Sequence, residues 1–358
     1  MHYIRFLKAP RRKQDSRGFQ SLSAVITITT DLGDAFLCSD LALLVELEDT
    51  RSGKRLDGCQ PKDYTWRGVD GFKGLSVEIP IGKSALRAGL EVKMQIRAKD
   101  QQHMAEDFDH VLGHRPNQSD DGGGIVSLRG IPNGNGIVER VFKYGGDQSV
   151  HIWEESGESI ARHIWDAGLV LSAYLTTVLG ELPSSRTLPK LPILQTLLSK
   201  SDLNVIELGA GCGIVGITLH QLLPNISHMI LTDLPEATSI LTHNISLSSP
   251  SPAHSVLDWS QPLPQSIAST QWNLVLIADC TYNPDVVPDL VQTLGRLADG
   301  NKDLIVLLAM KVRHASEAVF FTLMQDEGWM IRERTKLPLP VLSGEEEEIE
   351  IFVFGVLT

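Results

Sequence analysis

The chain predicts a mixed α/β protein: a parallel sheet covered by helices on both faces, preceded by a small β-rich unit. Three observations carry this. From about residue 200 onward, near-continuous apolar runs of strand length alternate with stretches of helical periodicity, as in strands buried on both faces. A glycine-rich turn, Glu207-Leu-Gly-Ala-Gly-Cys-Gly213, joins the first of those runs to the first helix. Residues 1–100 lack the alternation and read as short strands separated by turn signals.

Taken in order, His2 to Leu7 reads as a first strand, followed by a basic, solvated loop reaching Phe19. This N-terminus has no apolar signal core, although its arginines leave a mitochondrial presequence as the alternative. Ala24 to Thr29 alternates, Leu41 to Leu47 is apolar, and Leu75 to Ile79 and Leu90 to Ile96 follow, with Asp57-Gly58 and Asp70-Gly71 as turns. We expect residues 1–100 to form a β-rich domain, either a recognition module or an extension that only stabilises the chain. Residues 101–146 are polar and glycine-rich, with Asp120-Asp-Gly-Gly-Gly124 and Pro132-Asn-Gly-Asn-Gly136, and read as a linker or surface loop.

Residues 147–358 then form the cofactor-binding domain. Val150 to Glu154 is a short strand, and Ser159 to Leu175 carries Ile160, Ile164, Leu171 and Leu175 at helical spacing. A second short helix spans Ile193 to Leu198. Val205 to Leu208 is a buried strand ahead of the glycines. A strand from Met229 ends at Asp233, with a helix over Ala237 to Ile245 and a short strand over Ser255 to Trp259. Buried strands at Trp272 to Asp279 and Asp303 to Ala309 alternate with helices at Val286 to Leu297 and Ser316 to Asp326. Trp329 to Arg334 and Ile349 to Leu357 close the sheet as an antiparallel edge.

Charge is divided unevenly. Residues 1–150 hold 21 Lys and Arg against 20 Asp and Glu, a net of +1, whereas residues 151–358 hold 11 against 24, a net of −13. An acidic cofactor domain is poorly suited to a phosphate backbone and better suited to a cationic partner such as a lysine side chain, so no nucleic acid is expected. No apolar run approaches the length of a membrane span. Cys38, Cys59, Cys212 and Cys280 share no metal-ligand spacing, so reduced thiols and no metal site are expected. These features suggest an intracellular chain, in the cytoplasm or also the nucleus, and a monomer.

Glycines at a strand-to-helix turn let the backbone approach a ligand, and the helix start offers free N–H groups. Gly211-Cys-Gly-Ile-Val-Gly216 fits the dinucleotide fingerprint, and Asp233 is placed to accept ribose hydroxyls, which suits the adenosine of NAD or of S-adenosylmethionine. No second three-strand half offers a nicotinamide site. The chain instead supplies Asp258-Trp259 after its third strand, where a carboxylate and an aromatic ring can hold an adenine, and Asp279-Cys-Thr-Tyr282 after its fourth.

Glu207, Gly209, Gly211 and Gly213 resemble the first motif of the seven-strand, Rossmann-like class I S-adenosylmethionine-dependent methyltransferases. With Trp165-Asp-Ala167, Asp233, Asp258-Trp259 and Asp279-Cys-Thr-Tyr282, the chain resembles the family-16 protein-lysine methyltransferases over roughly residues 145–358. These relatives modify chaperones, AAA ATPases and translation elongation factors. The resemblance implies that Trp165 and Gly209 contact the cofactor, that Asp233 binds ribose, and that Asp258 and Trp259 flank adenine. Asp279 and Tyr282 would face the transferred methyl. It implies N-methylation of a lysine on a protein substrate such as a chaperone or translation factor. A nicotinamide-like small amine and a non-catalytic methyltransferase-fold binding protein are the alternatives. Nucleic-acid adenine methylation would favour Asn/Asp-Pro-Pro-aromatic after the fourth strand, where this chain has Cys280-Thr281.

Overall fold

The computed structural model describes residues 1–87, 89–112, 124–134, 136–156, 159–180, 188–342 and 347–357. They divide into two compact units, Met1–Lys143 with His151–His163 and Pro340–Glu346, and Tyr144–Val150 with Ile164–Leu339 and Glu347–Thr358.

The first unit is a β-sandwich. Its strands are β1 (His2–Gln14), β2 (Gln20–Thr30), β3 (Leu41–Asp49), β4 (Lys62–Trp66), β5 (Leu75–Pro80), β6 (Val92–Ala98), β7 (Ile125–Val126), β8 (Leu128–Gly130), β9 (Ile137–Tyr144) and β10 (Gln148–Glu155). One sheet has the order β5-β2-β1-β7 and the other β10-β9-β8-β6-β3-β4. Period-two alternation sends Ile4, Leu22, Ile26 and Ile28 from the first sheet and Leu43, Val45, Met94 and Ile96 from the second into one core. The opposite face of the second sheet is charged yet buried. Lys93 Nζ lies 2.7 Å from Glu139, and Arg129 Nε lies 3.2 Å from Glu48. Such pairing lets charged side chains leave water.

Two expectations for this half are corrected. The basic stretch after Leu7 is strand rather than loop as far as Gln14; the chain reverses where the Asp15 carboxylate accepts from the Arg17 and Phe19 N–H groups, both at 2.9 Å. Residues 101–146, expected as linker, carry β7, β8 and β9, with Ala105, Phe108 and Val111 buried. Of the glycine run there, residues 120–123 lie outside the described residues. The strand over Ile137–Tyr144 is hidden in the sequence because its charges are paired: buried Arg140 meets Glu154 at 2.6 Å and donates to the carbonyls of Val126 and Ser127.

The second unit holds β11 (Leu203–Leu208), β12 (Ile226–Asp233), β13 (Ala253–Val256), β14 (Leu274–Ala278), β15 (Ile305–Met310), β16 (Trp329–Leu339) and β17 (Glu347–Val356). They form one sheet in the order β13-β12-β11-β14-β15-β17-β16. β11 to β15 are parallel, and β17 runs antiparallel to both β15 and β16. The antiparallel strand therefore sits one place in from the edge, which β16 forms. After β11 the chain builds outward through β12 and β13, then returns to add β14 on the other side. That reversal leaves a crevice at the carboxyl ends of β11 and β14, the usual ligand position in open α/β sheets.

Helices Asp166–Val178, Ile214–Leu222, Thr238–Leu247, Val287–Ala298 and Ala318–Asp326 connect or cover these strands. The helix expected from Ser159 begins only at Asp166, with Trp165 extended as its N-cap. It packs closely: a Cβ placed on Gly168 would lie 3.3 Å from Ile214 and 3.8 Å from Ala278. No described helix is long and apolar enough to cross a membrane.

Candidate active site

The glycine loop leaves β11 in a backbone conformation that side chains disfavour. Gly209 and Gly213 have φ of +66° and +81°. Space demands glycine as well: a Cβ on Gly209 would stand 2.4 Å from Cys280 Sγ, and one on Gly213 would stand 2.7 Å from Leu241. The loop closes through Gly213 N–H to the Ala210 carbonyl at 2.7 Å, and the helix starts at Ile214.

Two carboxyl groups fasten this loop. Glu207 is buried beneath it and accepts from the Gly216 N–H at 2.9 Å, in the first turn of the helix. Burial pushes its pKa up to about 8; the Gly216 hydrogen bond opposes the shift and nearby Asp233 adds to it. Asp233, the last residue of β12, accepts from Gly211 N–H and from Leu234 N–H, both at 2.7 Å. Burial raises its pKa too, against those two hydrogen bonds.

The ends of β13 and β14 converge on the same place. Trp259 packs against the sheet core, and its ring edge would lie 3.4 Å from a Cβ on Gly209. Asp258 is exposed, and its carboxylate accepts from Ser260 N–H at 3.0 Å and Ser260 Oγ at 2.8 Å. Cys280 and Trp259 thus both stand against the loop at Gly209. Cys280 is buried with Sγ 3.3 Å from the Ala278 carbonyl, and burial drives its thiol pKa well up, which disfavours the thiolate.

Asp279 follows β14 with φ of +58°, uncommon for a residue with a side chain. Its N–H donates to the Ala309 carbonyl at 2.9 Å, and its Oδ1 accepts from Lys311 N–H at 3.2 Å. Arg313 completes the arrangement with a two-pronged bridge, Nη1 to Oδ1 at 2.7 Å and Nη2 to Oδ2 at 2.9 Å. The Arg313 Cζ also lies 5.5 Å from the Trp165 ring centroid. Beside it, buried Lys311 bridges Asp166 at 3.0 Å and Glu347 at 2.8 Å. Tyr282 is half-exposed, its hydroxyl pKa raised by partial burial and the nearby acidic groups.

Of the residues singled out by sequence, Glu207, Gly209, Gly211, Gly213, Asp233 and Trp259 build or touch the glycine loop, whereas Asp279 is tied to Ala309, Lys311 and Arg313. Trp165 joins through Arg313. Asp258 turns its carboxylate onto Ser260. Lys311 and Arg313 were missed, although a Lys-Val-Arg ending to six apolar residues is a signal in itself: a buried strand exits directly into charge at the sheet's ligand edge.

This sheet and loop define a nucleotide-cofactor domain of methyltransferase topology. A family model described as lysine methyltransferase matches residues 146–327. The chain belongs to that family of S-adenosylmethionine-dependent protein-lysine methyltransferases. It is 30% identical over 178 residues to mouse (Mus musculus) protein N-lysine methyltransferase METTL21A, covering 48% of this chain and 70% of that one. It is 32% identical over 164 residues to EEF1A lysine methyltransferase 3 of Xenopus tropicalis, covering 45% and 63%. A UPF0665 family protein of Schizosaccharomyces pombe is 27% identical over 329 residues, covering 90% of this chain and 92% of its own length.

Proposed function

We propose that this site methylates a lysine side chain of a protein, with the cofactor against the glycine loop and the amine beside Asp279 and Tyr282. The observation that carries the reading is the convergence of four strand ends on one loop. Asp233 is bonded to Gly211, and both Cys280 and Trp259 stand against Gly209. These residues fit S-adenosylmethionine. Asp233 is aimed at the loop and suits the ribose, Trp259 with Asp258 suits the adenine, and Gly209 with Trp165 suits the amino-acid end. When bound, that cofactor supplies a methyl group on a positively charged sulfur.

The remaining work belongs to the chain. The acceptor nitrogen must lose its proton, shed water and point its lone pair at the methyl carbon. The proton that leaves the acceptor ammonium beforehand would pass to water. As the N–C bond forms and the C–S bond breaks, the methylated nitrogen would keep its remaining protons and its positive charge. Asp279 orients the nitrogen, and half-exposed Tyr282 walls the approach. The net charge of −13 over residues 151–358 favours a cationic acceptor segment. The substrate class we favour is a translation factor or chaperone, supported by a relative named for EEF1A. The family match leaves residues 1–145 outside it, and we assign the sandwich there to substrate recognition.

Thermal melting with S-adenosylhomocysteine, with NAD and with buffer tests the cofactor. We expect a rise with S-adenosylhomocysteine alone. In Asp233→Ala the affinity should fall about ten- to a hundredfold, because one carboxylate is lost from both loop and ligand. Tritiated-methyl transfer into a cell lysate should then label lysine. A rise with NAD instead, or labelled small amines in place of labelled protein, would overturn the assignment.

A further inference from the structure

We propose that Arg313 is a positioning residue for methyl transfer, holding Asp279 in orientation and cancelling its charge so that the acceptor lysine reacts as a neutral amine. This rests on the placement of the amine beside Asp279.

The geometry is specific to arginine. A planar guanidinium offers two parallel N–H bonds to one carboxylate, and here both oxygens of Asp279 are taken, at 2.7 and 2.9 Å. Its Cζ also lies 5.5 Å from the Trp165 ring centroid, so one side chain links the residue assigned to the cofactor with the residue assigned to the amine. Arg313 is itself anchored. Its N–H donates to Glu317 Oε1 at 2.9 Å, as does the His314 N–H at 3.0 Å, and Glu317 is buried. Asp279 needs such support, because its left-handed backbone persists only where neighbours hold it.

The charge argument follows from what faces Asp279. From the segment after β15 come Arg313 and Lys311. The Lys311 ammonium is already engaged by Asp166, at the start of its helix, and by Glu347 on β17. Cys280 and Tyr282 lie on its own segment, where burial raises both pKa values, and Asp233 and Glu207 stand on the glycine-loop side. Among the described residues, Arg313 is therefore the side chain whose cationic group bridges Asp279. Without it, the bare carboxylate would attract an ammonium and hold its proton, whereas transfer requires the lone pair.

The test compares wild type, Arg313→Met and Arg313→Lys. Each is melted with and without S-adenosylhomocysteine and assayed for tritiated-methyl incorporation into the acceptor band of a heat-treated cell lysate, from pH 6.5 to 9.5. Both variants should keep the melting rise. Arg313→Met should lose about ten- to a hundredfold in rate, and the limb where the rate climbs with pH should move up by about one pH unit. Arg313→Lys keeps the charge but not the fork, so its rate should fall while the limb stays in place. If Arg313→Met is too unstable to assay, the lysine variant decides: a wild-type rate there overturns the proposal. An unmoved limb in Arg313→Met overturns the charge argument. A wild type that binds S-adenosylhomocysteine yet labels nothing overturns the proposal and leaves the cofactor reading standing. A wild type that shows no melting rise removes the cofactor reading itself.

Discussion

Glu207→Gln should flatten the pH dependence of folding stability. Glu207 is buried at the end of β11, and burial pushes its pKa from an ordinary 4.5 up to about 8. A carboxyl whose pKa is raised by folding binds its proton more tightly in the native state. Its contribution is therefore fully present below about pH 4.5 and is lost as pH rises toward 8. Across that interval each step of one in pH weakens folding by about 1.4 kcal/mol, so the loss between pH 5 and pH 8 is about 3 to 4 kcal/mol. Glutamine keeps a carbonyl oxygen for the Gly216 N–H and carries no titrating proton. Urea unfolding followed by circular dichroism at pH 5 and pH 8 gives the four stabilities required. Other titrating groups cancel in the difference between variant and wild type. We expect wild type to lose about 3 kcal/mol more than Glu207→Gln over this range. Equal losses in the two proteins would show that Glu207 is already ionised in the folded state, and the account of the buried carboxyl would fail.

Two further substitutions probe the loop and the sandwich. Gly209→Ala meets both a left-handed φ and Cys280 Sγ at 2.4 Å, so it should cost about 2 kcal/mol or more and abolish the S-adenosylhomocysteine melting rise. Adding Cys280→Ala should restore part of the melting temperature, and no recovery would place the strain elsewhere. In the sandwich, Arg140→Met removes the bridging cation of the fully buried Glu154 carboxylate and should cost about 3 kcal/mol or more by chemical denaturation. Burial opposes that carboxylate's charge, but Arg140 and His163 outweigh it and hold its pKa well below the usual range. The pair's contribution is thus present above about pH 4.5 and lost in acid. The double variant Arg140→Met/Glu154→Leu should lose less than Arg140→Met alone; an equal or larger loss would refute the explanation by a lost counter-charge.

The second unit was legible because its strands are buried on both faces. Val205 to Leu208, Trp272 to Asp279 and Asp303 to Ala309 are apolar on both faces apart from Glu207 and a few polar residues at the strand ends, so no pairing knowledge is needed to see them, and the glycines mark the crevice between them. The first unit yielded less for the opposite reason. Strands such as Ile137–Tyr144 alternate apolar residues with charges that are buried through ion pairs, as with Lys93, Glu48 and Glu139. A sequence window sees Glu139 and Arg140 as solvated loop residues because their partners lie on other strands. The helix boundary at Asp166 was missed for a related reason: Ile160 and Ile164 keep helical spacing through a stretch that is only a single 3₁₀ turn, Ile160–Arg162, ahead of an extended Trp165.

The catalytic end of the sheet shows where spacing stops being informative. Glu207, Asp233, Trp259 and Asp279 each announce themselves by closing a strand, a property of one segment. The role of Arg313 depends on strand register. Pairing of Ala278 with Ala309 brings Asp279 level with the exit of β15, so that Lys311 offers its N–H and Arg313 its guanidinium to one carboxylate. A shift of one residue would turn alternate side chains to the opposite face and separate these groups. The same register leaves Asp279 with its charge balanced inside an acidic unit. In the proposed placement, attraction of a basic substrate would come from the wider surface of the domain, while Asp279 would orient the amine without trapping its proton. That division of labour would account for a carboxylate here bearing a fixed arginine partner: long-range charge would gather the cation, and the local pair would allow it to become a nucleophile.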